Sequence, residues 1–279
     1  MSAPDRYAGD RYVAVADGRR ASTQSPFRIE VRFVGGLSPR QRDAFAAAAD
    51  RWTRVIVGDL PDVEVDGETV DDVLILAQGA AIDGSGQVLG QAGPTHLRPA
   101  GAGPAALLPA KGAMSFDSAD LEALEAEGTL DDVITHEMGH VLGIGTLWAR
   151  KGLLAGSGTD DPTFRGGGAV AEYGALTGAQ ETGVPVENTG GPGTREGHWR
   201  ESVFGNELMS GFIRVAGNPL SRMTVASLAD LDYQVDLVAA EEYALPAPAP
   251  AGEAPALTAP GGTVLPVVPF ELPASSLLG

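Results

Sequence analysis

The sequence predicts a mixed α+β fold, in which a sheet and helices come first and a loop-rich part follows. Three observations carry this prediction. Apolar and charged residues alternate over residues 27–33, which is the period of a half-buried strand. Helix start signals followed by apolar stripes of helical spacing occur at Ser38 and at Thr129. Glycine then recurs every few residues over 152–197, which predicts a long irregular region.

The first helix is predicted to begin after Ser38. Serine is a favoured N-cap, Pro39 suits the first turn, and Gln41 stands three residues past the cap, where it completes a capping box. Residues of the inward face recur at helical spacing, and they are expected to be core residues: Phe45, Ala49, Trp52 and Ile56.

Further elements follow with weaker signals. The apolar run 73–76 predicts a buried strand, and 114–116 predicts another strand before a helix capped by Asp117 or Ser118. Residues 78–113 are rich in Gly, Ala and Pro, and no element is assigned to them. A last helix is predicted over 221–231, with Val225, Leu228 and Ala229 facing inward.

The domain organisation follows from composition. Residues 1–25 are polar and patternless, so we expect a flexible N-terminal arm. Residues 26–240 have the length of one domain, and 241–279 form a Pro/Ala-rich C-terminal tail. The apolar run V-L-P-V-V-P-F-E-L-P within the tail is compatible with a secretion element, an inhibitory segment or a docking peptide, and the sequence does not choose among them.

Charge and cysteine content exclude several classes of function. With 19 Lys and Arg against 37 Asp and Glu, the formal net charge is −18, which disfavours binding to phosphate backbones, so no nucleic-acid partner is expected. The chain has no cysteine, which excludes disulfides, thiolate zinc sites and cysteine nucleophiles. No apolar run has the roughly 18 residues of a transmembrane helix, so no transmembrane segment is expected.

The helix expected from Thr129 to Gly143 carries two histidines on one face. Its core-facing stripe is Leu130, Ile134, Met138 and Val141. His136 and His140 lie four residues apart on another face, so both imidazoles can reach one metal ion. Glu137 stands beside the first histidine, as in the H-E-x-x-H arrangement of zinc peptidases. Zinc acidifies a bound water, and Glu137 is the expected general base that takes its proton.

The third zinc ligand is not given by this helix. Gly143 extends the motif to H-E-x-x-H-x-x-G, the opening of the metzincin signature, but Thr146 stands where that signature has its third histidine. The remaining histidines are His96, which a solvent-exposed loop would explain, and His198, far downstream. Met209, eleven residues after His198, could form a methionine-containing turn beneath the metal.

The two segments H-E-M-G-H-V-L-G and G-H-W-R-E-S-V-F-G-N-E-L-M-S-G-F, separated by a long insertion, resemble the leishmanolysin-like metzincins of bacterial type. The resemblance extends over about residues 26–238. It implies a metzincin-like catalytic domain with an N-terminal twisted sheet plus helices and a loop-rich C-terminal subdomain. It also implies one catalytic Zn²⁺ ion, protein or peptide substrates, and these site residues: ligands His136, His140 and His198, general base Glu137, Met-turn residue Met209, and helix-ending Gly143.

The expected function is therefore a zinc-dependent endopeptidase. A zinc hydrolase of a non-peptide amide stays open, as does a non-catalytic adhesion or binding module with structural zinc. Without cysteine, a disulfide-rich architecture and a cysteine switch are impossible. The resemblance favours secretion, although no apolar signal-peptide core is visible at the N-terminus, so the expected route is unidentified. The sequence leaves the oligomeric state open.

Several residues near these motifs have competing interpretations. Glu201 and Glu207 are alternative carboxylate ligands of the thermolysin type, and Met223 is a rival Met-turn residue that fits the core better. Trp148 and Trp199 could shape a substrate pocket or pack in the core. Asp83, Asp160 and Asp161 lack the ligand number of a calcium loop, so no calcium site is predicted.

Overall fold

The computed structural model describes residues 9–23, 25–213, 215–247 and 263–278. The helices are α1 Pro39–Val55, α2 Ser118–Glu127, α3 Leu130–Val141, α4 Gly167–Thr177, α5 Glu201–Phe204 and α6 Arg222–Asp230. The strands are β1 Arg11–Val15, β2 Arg28–Gly35, β3 Val63–Val65, β4 Glu68–Val70, β5 Val73–Ala80, β6 Val88–Leu97, β7 Pro109–Asp117, β8 Leu154–Ala155, β9 Thr163–Phe164, β10 Val184–Pro185, β11 Thr263–Pro266 and β12 Phe270–Glu271. The predicted α+β class is confirmed.

The main sheet has the strand order β1-β2-β5-β7-β6-β11, with β12 also paired to β6. Strands β2, β5 and β7 are mutually parallel, whereas β6 runs antiparallel to β7. Strands β11 and β12 come from the C-terminal tail and run parallel to β6. The edge of the sheet next to β6 is therefore covered by the chain's own last residues.

One face of the sheet carries the main core. Side chains of β5 alternate between the faces, so Ile75 packs in the main core with α1 and α3, while Leu74 packs in a smaller cluster behind the sheet. Helices α1 and α3 pack on each other, and α3 also lies against β6 and β7. This arrangement fixes the metal-motif helix α3 beside the sheet edge.

The predicted caps are mostly confirmed. As expected, Ser38 and Gln41 form a capping box at α1 and Asp117 caps α2; Ser221, at the start of the predicted last helix, caps α6. Thr129 stands at the N-cap position of α3, but its hydroxyl makes no capping hydrogen bond. The helix is held instead by packing of its buried stripe.

Two segments expected to be irregular contain regular elements. Strand β1 lies within the expected flexible arm, where its side chains alternate and its backbone pairs with β2 over Arg11–Val15. Helix α4 lies within the glycine-rich region and is stabilised by packing against α6 rather than by its own residues. The expectation for His96 was also wrong, because it lies in β6 and is partly buried.

The part of the chain after α3 is built around aromatic packing. Three small strands, β8, β9 and β10, form a second sheet, and α4 packs on α6. Trp148 and Trp199 are fully buried with ring centroids 4.6 Å apart, and Phe164 and Phe204 complete the cluster. Of the two interpretations of these tryptophans, core packing is confirmed. Among the described residues, no helix combines the length and apolarity that a membrane crossing requires.

Candidate metal centre

Three buried histidines converge on one point. The Nε2 atoms of His136, His140 and His198 lie 2.9 to 3.0 Å from one another. All three side chains are buried, and together they form a group that could hold a metal ion. The structure therefore brings together two residues of one helix turn and a third from 58 residues further along the chain.

The second nitrogen of each ring fixes the tautomer. The Nδ1 atoms of His136, His140 and His198 lie 2.7, 2.9 and 2.8 Å from the backbone carbonyl oxygens of Leu208, Ile144 and Thr194. A carbonyl oxygen only accepts, so each Nδ1 must donate its proton, and in the neutral ring Nε2 carries a lone pair. Three lone pairs thus face one another, an arrangement that suits zinc or a similar cation.

The neutral state of these rings has a clear cause. Burial, and to a lesser degree repulsion from a neighbouring ring, lowers the pKa of all three histidines to about 3. The carbonyl contacts act in the opposite direction but are weaker. The rings are therefore unprotonated near neutral pH, as metal ligation requires.

The turn after α3 places the carbonyl of Ile144 beside His140. Gly143 has a φ of +111°, which an L side chain rarely adopts, and it lets the chain turn back under the helix. The carbonyl of Ile144 then lies beside the His140 ring. Thr146 is no ligand: its hydroxyl donates to the carbonyl of His140 over 2.8 Å.

Close backbone contact brings His198 to the helix. A Cβ on Gly145 would stand only 1.9 Å from the carbonyl oxygen of Gly197. The two backbone segments therefore meet at a point where only glycine fits. His198 and Trp199 are fixed further by backbone hydrogen bonds, since the His198 carbonyl accepts from Glu187 and the Trp199 amide donates to Met209. The glycines next to the ligand are thus part of its placement.

Glu137 faces a cleft at this centre. Its side chain is buried, and its Oε2 atom has no hydrogen-bond partner among the described residues. Burial raises the pKa of Glu137 to about 8. A cavity of about 480 Å³ is lined by the three histidines, Glu137 and the turn after α3. A buried carboxylate oxygen without a partner beside three convergent nitrogens is suited to binding a cation or a water molecule.

Comparison with known families agrees with this geometry. The model of the family described as Peptidase_M8, leishmanolysin, matches residues 105–247, slightly more than half of the chain. The chain belongs to the leishmanolysin family. Membership indicates a zinc metallopeptidase, and the match spans α3, His198 and α6. No curated protein matches the sequence of the chain.

In this leishmanolysin-family protein, Met209 lies directly beneath the metal-motif helix. A Cβ on Gly139 would stand 2.8 Å from the Met209 sulfur and 2.8 Å from the Trp52 ring. The Trp52 indole also donates to the carbonyl of Thr135. The small residue between the two histidines therefore allows Met209 to approach the helix. Met223, the rival in the sequence, is buried in the core.

The alternative ligand Glu207 has another role. Its buried carboxylate accepts hydrogen bonds from the backbone and hydroxyl of Ser221, from the Thr224 hydroxyl and from the Met209 amide. Glu207 thus connects the start of α6 to the turn that carries Leu208 and Met209. Glu201, the other alternative, is outside the group of residues that could hold the ion.

Sequence reasoning missed the residues that support the centre. The carbonyl groups of Leu208, Ile144 and Thr194 have no sequence signal, because any residue supplies them. Glu207, considered from the sequence only as an alternative ligand, stands directly before the apolar pair Leu208 and Met209, and Gly145 is a glycine two residues past Gly143. Both signals point to special packing only once the fold is known.

Proposed function

We propose that the chain is a zinc-dependent endopeptidase. The observation that carries this proposal is the convergence of three unprotonated histidine Nε2 atoms beside Glu137, whose Oε2 atom has no partner among the described residues. His136, His140 and His198 would hold one Zn²⁺ ion. When bound, zinc supplies Lewis-acid chemistry that acidifies water and polarises a peptide carbonyl.

Glu137 is the proposed general base. Its free oxygen faces the cleft, where it can accept the proton of the attacking water and pass it to the leaving amine. A pKa near the working pH suits both transfers, and a neighbouring cation lowers the pKa of a buried carboxylate from its value of about 8. A structural zinc site has no use for such a base.

The surrounding residues complete the proposed metzincin-type site. Met209 is the proposed Met-turn residue, because it packs against Gly139 between the two helix ligands. Residues 26–240 are the proposed catalytic domain. Peptide substrates would bind in an extended form along the cleft, at the edge of β6 that lines it. Family membership also supports a protein that acts outside the cell.

Casein cleavage tests the proposal. The purified chain and its Glu137→Ala variant are loaded with zinc, and metal content is measured beside the release of peptides. We expect the parent to cut, and the variant to retain zinc while losing at least about 100-fold in rate, as general-base removal does. Glu122→Ala on the exposed face of α2 is the matched control and should cut like the parent.

A second variant tests the ligand set. His198→Ala should lose zinc as well as activity, whereas Glu137→Ala should lose activity alone. A parent that binds zinc but cuts neither casein nor a peptide library would contradict the proposal. Activity on a non-peptide amide, or a closed site with four protein ligands, would then point to the two alternative functions.

A further inference from the structure

One wall of the cleft is the edge of β6 that faces away from β7. An extended peptide that entered the cleft would lie along this edge. Strand β6 packs directly on α3, and its residues Leu89 and Ala92 line the cavity together with Glu137. An exposed strand edge binds an extended peptide by continuing the sheet. In this structure the edge is already paired with the C-terminal segment.

The C-terminal segment crosses the cleft at the metal centre. Strand β11 pairs with β6 from Val88 to Ala92, and its four residues line the same cavity as the histidines. On its other side, the Val264 carbonyl lies so close to Gly193 that a Cβ there would stand 2.7 Å from it. The segment is therefore placed between β6 and the loop that leads to His198.

Beyond the cleft, the segment is anchored by a buried side chain and by backbone hydrogen bonds. Leu272 is buried in the small cluster behind the sheet, and the amides of Leu272 and Leu278 donate to the carbonyls of Leu97 and Asp62. Nearer the cleft, large apolar side chains are exposed: Leu265 at 44%, Phe270 at 61% and Val268 at 89%. These side chains bury little apolar area, so the part at the cleft is held mainly by its strand pairing with β6 and by Val264.

We propose that residues 263–271 are an internal inhibitor, an extended apolar peptide that occupies the substrate-binding edge of β6 and must leave before a substrate can bind. The inference rests on the proposed peptidase function, because it identifies that edge as the substrate site. The segment lies outside the family match, which ends at residue 247. Its attachment to the same chain gives it a high effective concentration, which makes weak contacts sufficient.

The absence of cysteine from the chain allows a sharp test. Gln91 and Leu265 are Cα partners of neighbouring strands, and both side chains are exposed. Partners in adjacent strands lie about 4.8 Å apart, which is within the range for a disulfide. The double variant Gln91→Cys/Leu265→Cys is therefore expected to lock the segment when oxidised and to free it when reduced. Val88→Cys/Thr263→Cys is a second pair of the same kind.

The two states of one protein are then compared. We expect kcat/KM for casein peptides to fall by at least about tenfold on oxidation and to recover on reduction, because locking removes the binding-competent fraction. The control pair Val13→Cys/Glu30→Cys joins β1 to β2 at the opposite edge of the sheet and should respond to neither treatment. Mass spectrometry confirms the disulfide in each case.

Peptide binding separates this proposal from the proposed function. The Gln91→Cys/Leu265→Cys variant is also made in a Glu137→Ala background. Its oxidised and reduced forms are each titrated into a fluorescent casein peptide, and the anisotropy of the peptide is measured. Tighter binding after reduction supports the internal inhibitor even if the parent chain cleaves nothing. Equal binding and equal cleavage in both states, with the disulfide confirmed, would overturn it and make the segment a permanent strand of the sheet.

Discussion

Glu207 is a buried residue that supports the candidate metal centre without belonging to the three-histidine group. Its carboxylate accepts from two backbone amides and two hydroxyls, all buried. Glu207→Gln keeps the size but turns an amide group towards these donors. Because donors left unsatisfied cost about 1–3 kcal/mol each, we expect the free energy of unfolding in urea to fall by at least about 2 kcal/mol.

Glu122→Gln is the control for this change, since Glu122 is exposed on α2 and should shift stability by no more than about 0.5 kcal/mol. The Glu207→Gln variant should also bind zinc more weakly. The substitution is expected to shift the turn that carries Leu208 and Met209, and the Leu208 carbonyl in this turn orients His136. Equal stability of the two variants would show that the buried carboxylate is dispensable.

Asp117 makes stability depend on pH in a defined window. Hydrogen bonds from the backbone amides of Ile82, Ala119, Gly84 and Asp83 lower the pKa of Asp117 to about 2. A carboxylate with a lowered pKa stabilises the folded state above its ordinary value of 3.8, and this contribution is lost as pH falls towards 2. Asp117→Asn should therefore be less stable than the parent at pH 7, with a difference that shrinks between about pH 4 and 2.

The measurement is the urea midpoint of both proteins at each pH. Asp160→Asn removes the same charge at an exposed position, so its effect is subtracted. A difference that stays constant down to pH 2 would mean that Asp117 has the same pKa in the folded and the unfolded chain, so that the backbone hydrogen bonds do not lower it.

At the scale of elements, the contact between the turn after α3 and the His198 segment requires glycine. Gly145 has a φ of +73° and no room for a side chain, because the Gly197 carbonyl is in the way. Gly128 at the end of α2 has a similar φ of +79° but open space around it. Gly128→Ala thus carries only the backbone strain of about 1–2 kcal/mol. Gly145→Ala carries the same strain and must in addition push the segment of Gly197 away from the turn after α3.

We therefore expect Gly145→Ala to lose more stability than Gly128→Ala by at least about 2 kcal/mol, the usual cost of a forced backbone shift. Zinc affinity should fall for Gly145→Ala only, because His198 follows Gly197 directly. Urea unfolding and zinc titration of the two variants measure these effects. Similar losses in both would show that the close approach is relaxed at little cost.

The same elements show how far sequence reasoning extends. The helix period alone placed His136 and His140 on one face, and the capping box of α1 fixed its start. Spacing cannot place His198, since a separation of 58 residues from His140 imposes no period, and only a resemblance implied it. Strand β6 was missed because two glycines and Pro94 obscure its pattern, and a shift of register next to Pro94 absorbs that residue within the sheet.

On the scale of the whole molecule, a zinc ion would join two parts of the chain that otherwise meet through packing. His136 and His140 belong to the helix that packs on the main sheet, and His198 belongs to the loop-rich part. Without a cation, three lone pairs face one another at about 3 Å, which opposes this contact. Binding to the folded state alone adds about 4 kcal/mol at a thousandfold excess over Kd.

For a chain of this size, a change of 1 kcal/mol in the free energy of unfolding shifts Tm by about 2–4 °C. Removing zinc with a chelator should therefore lower Tm by on the order of 10 °C. Added zinc should restore it. His198→Ala should begin near the Tm of the metal-free parent and respond to zinc far less, since the two ligands left lie on one helix and no longer join the two parts. Scanning calorimetry of both proteins decides the matter: an equal zinc response would mean that the ion stabilises α3 alone and that His198 is not its ligand.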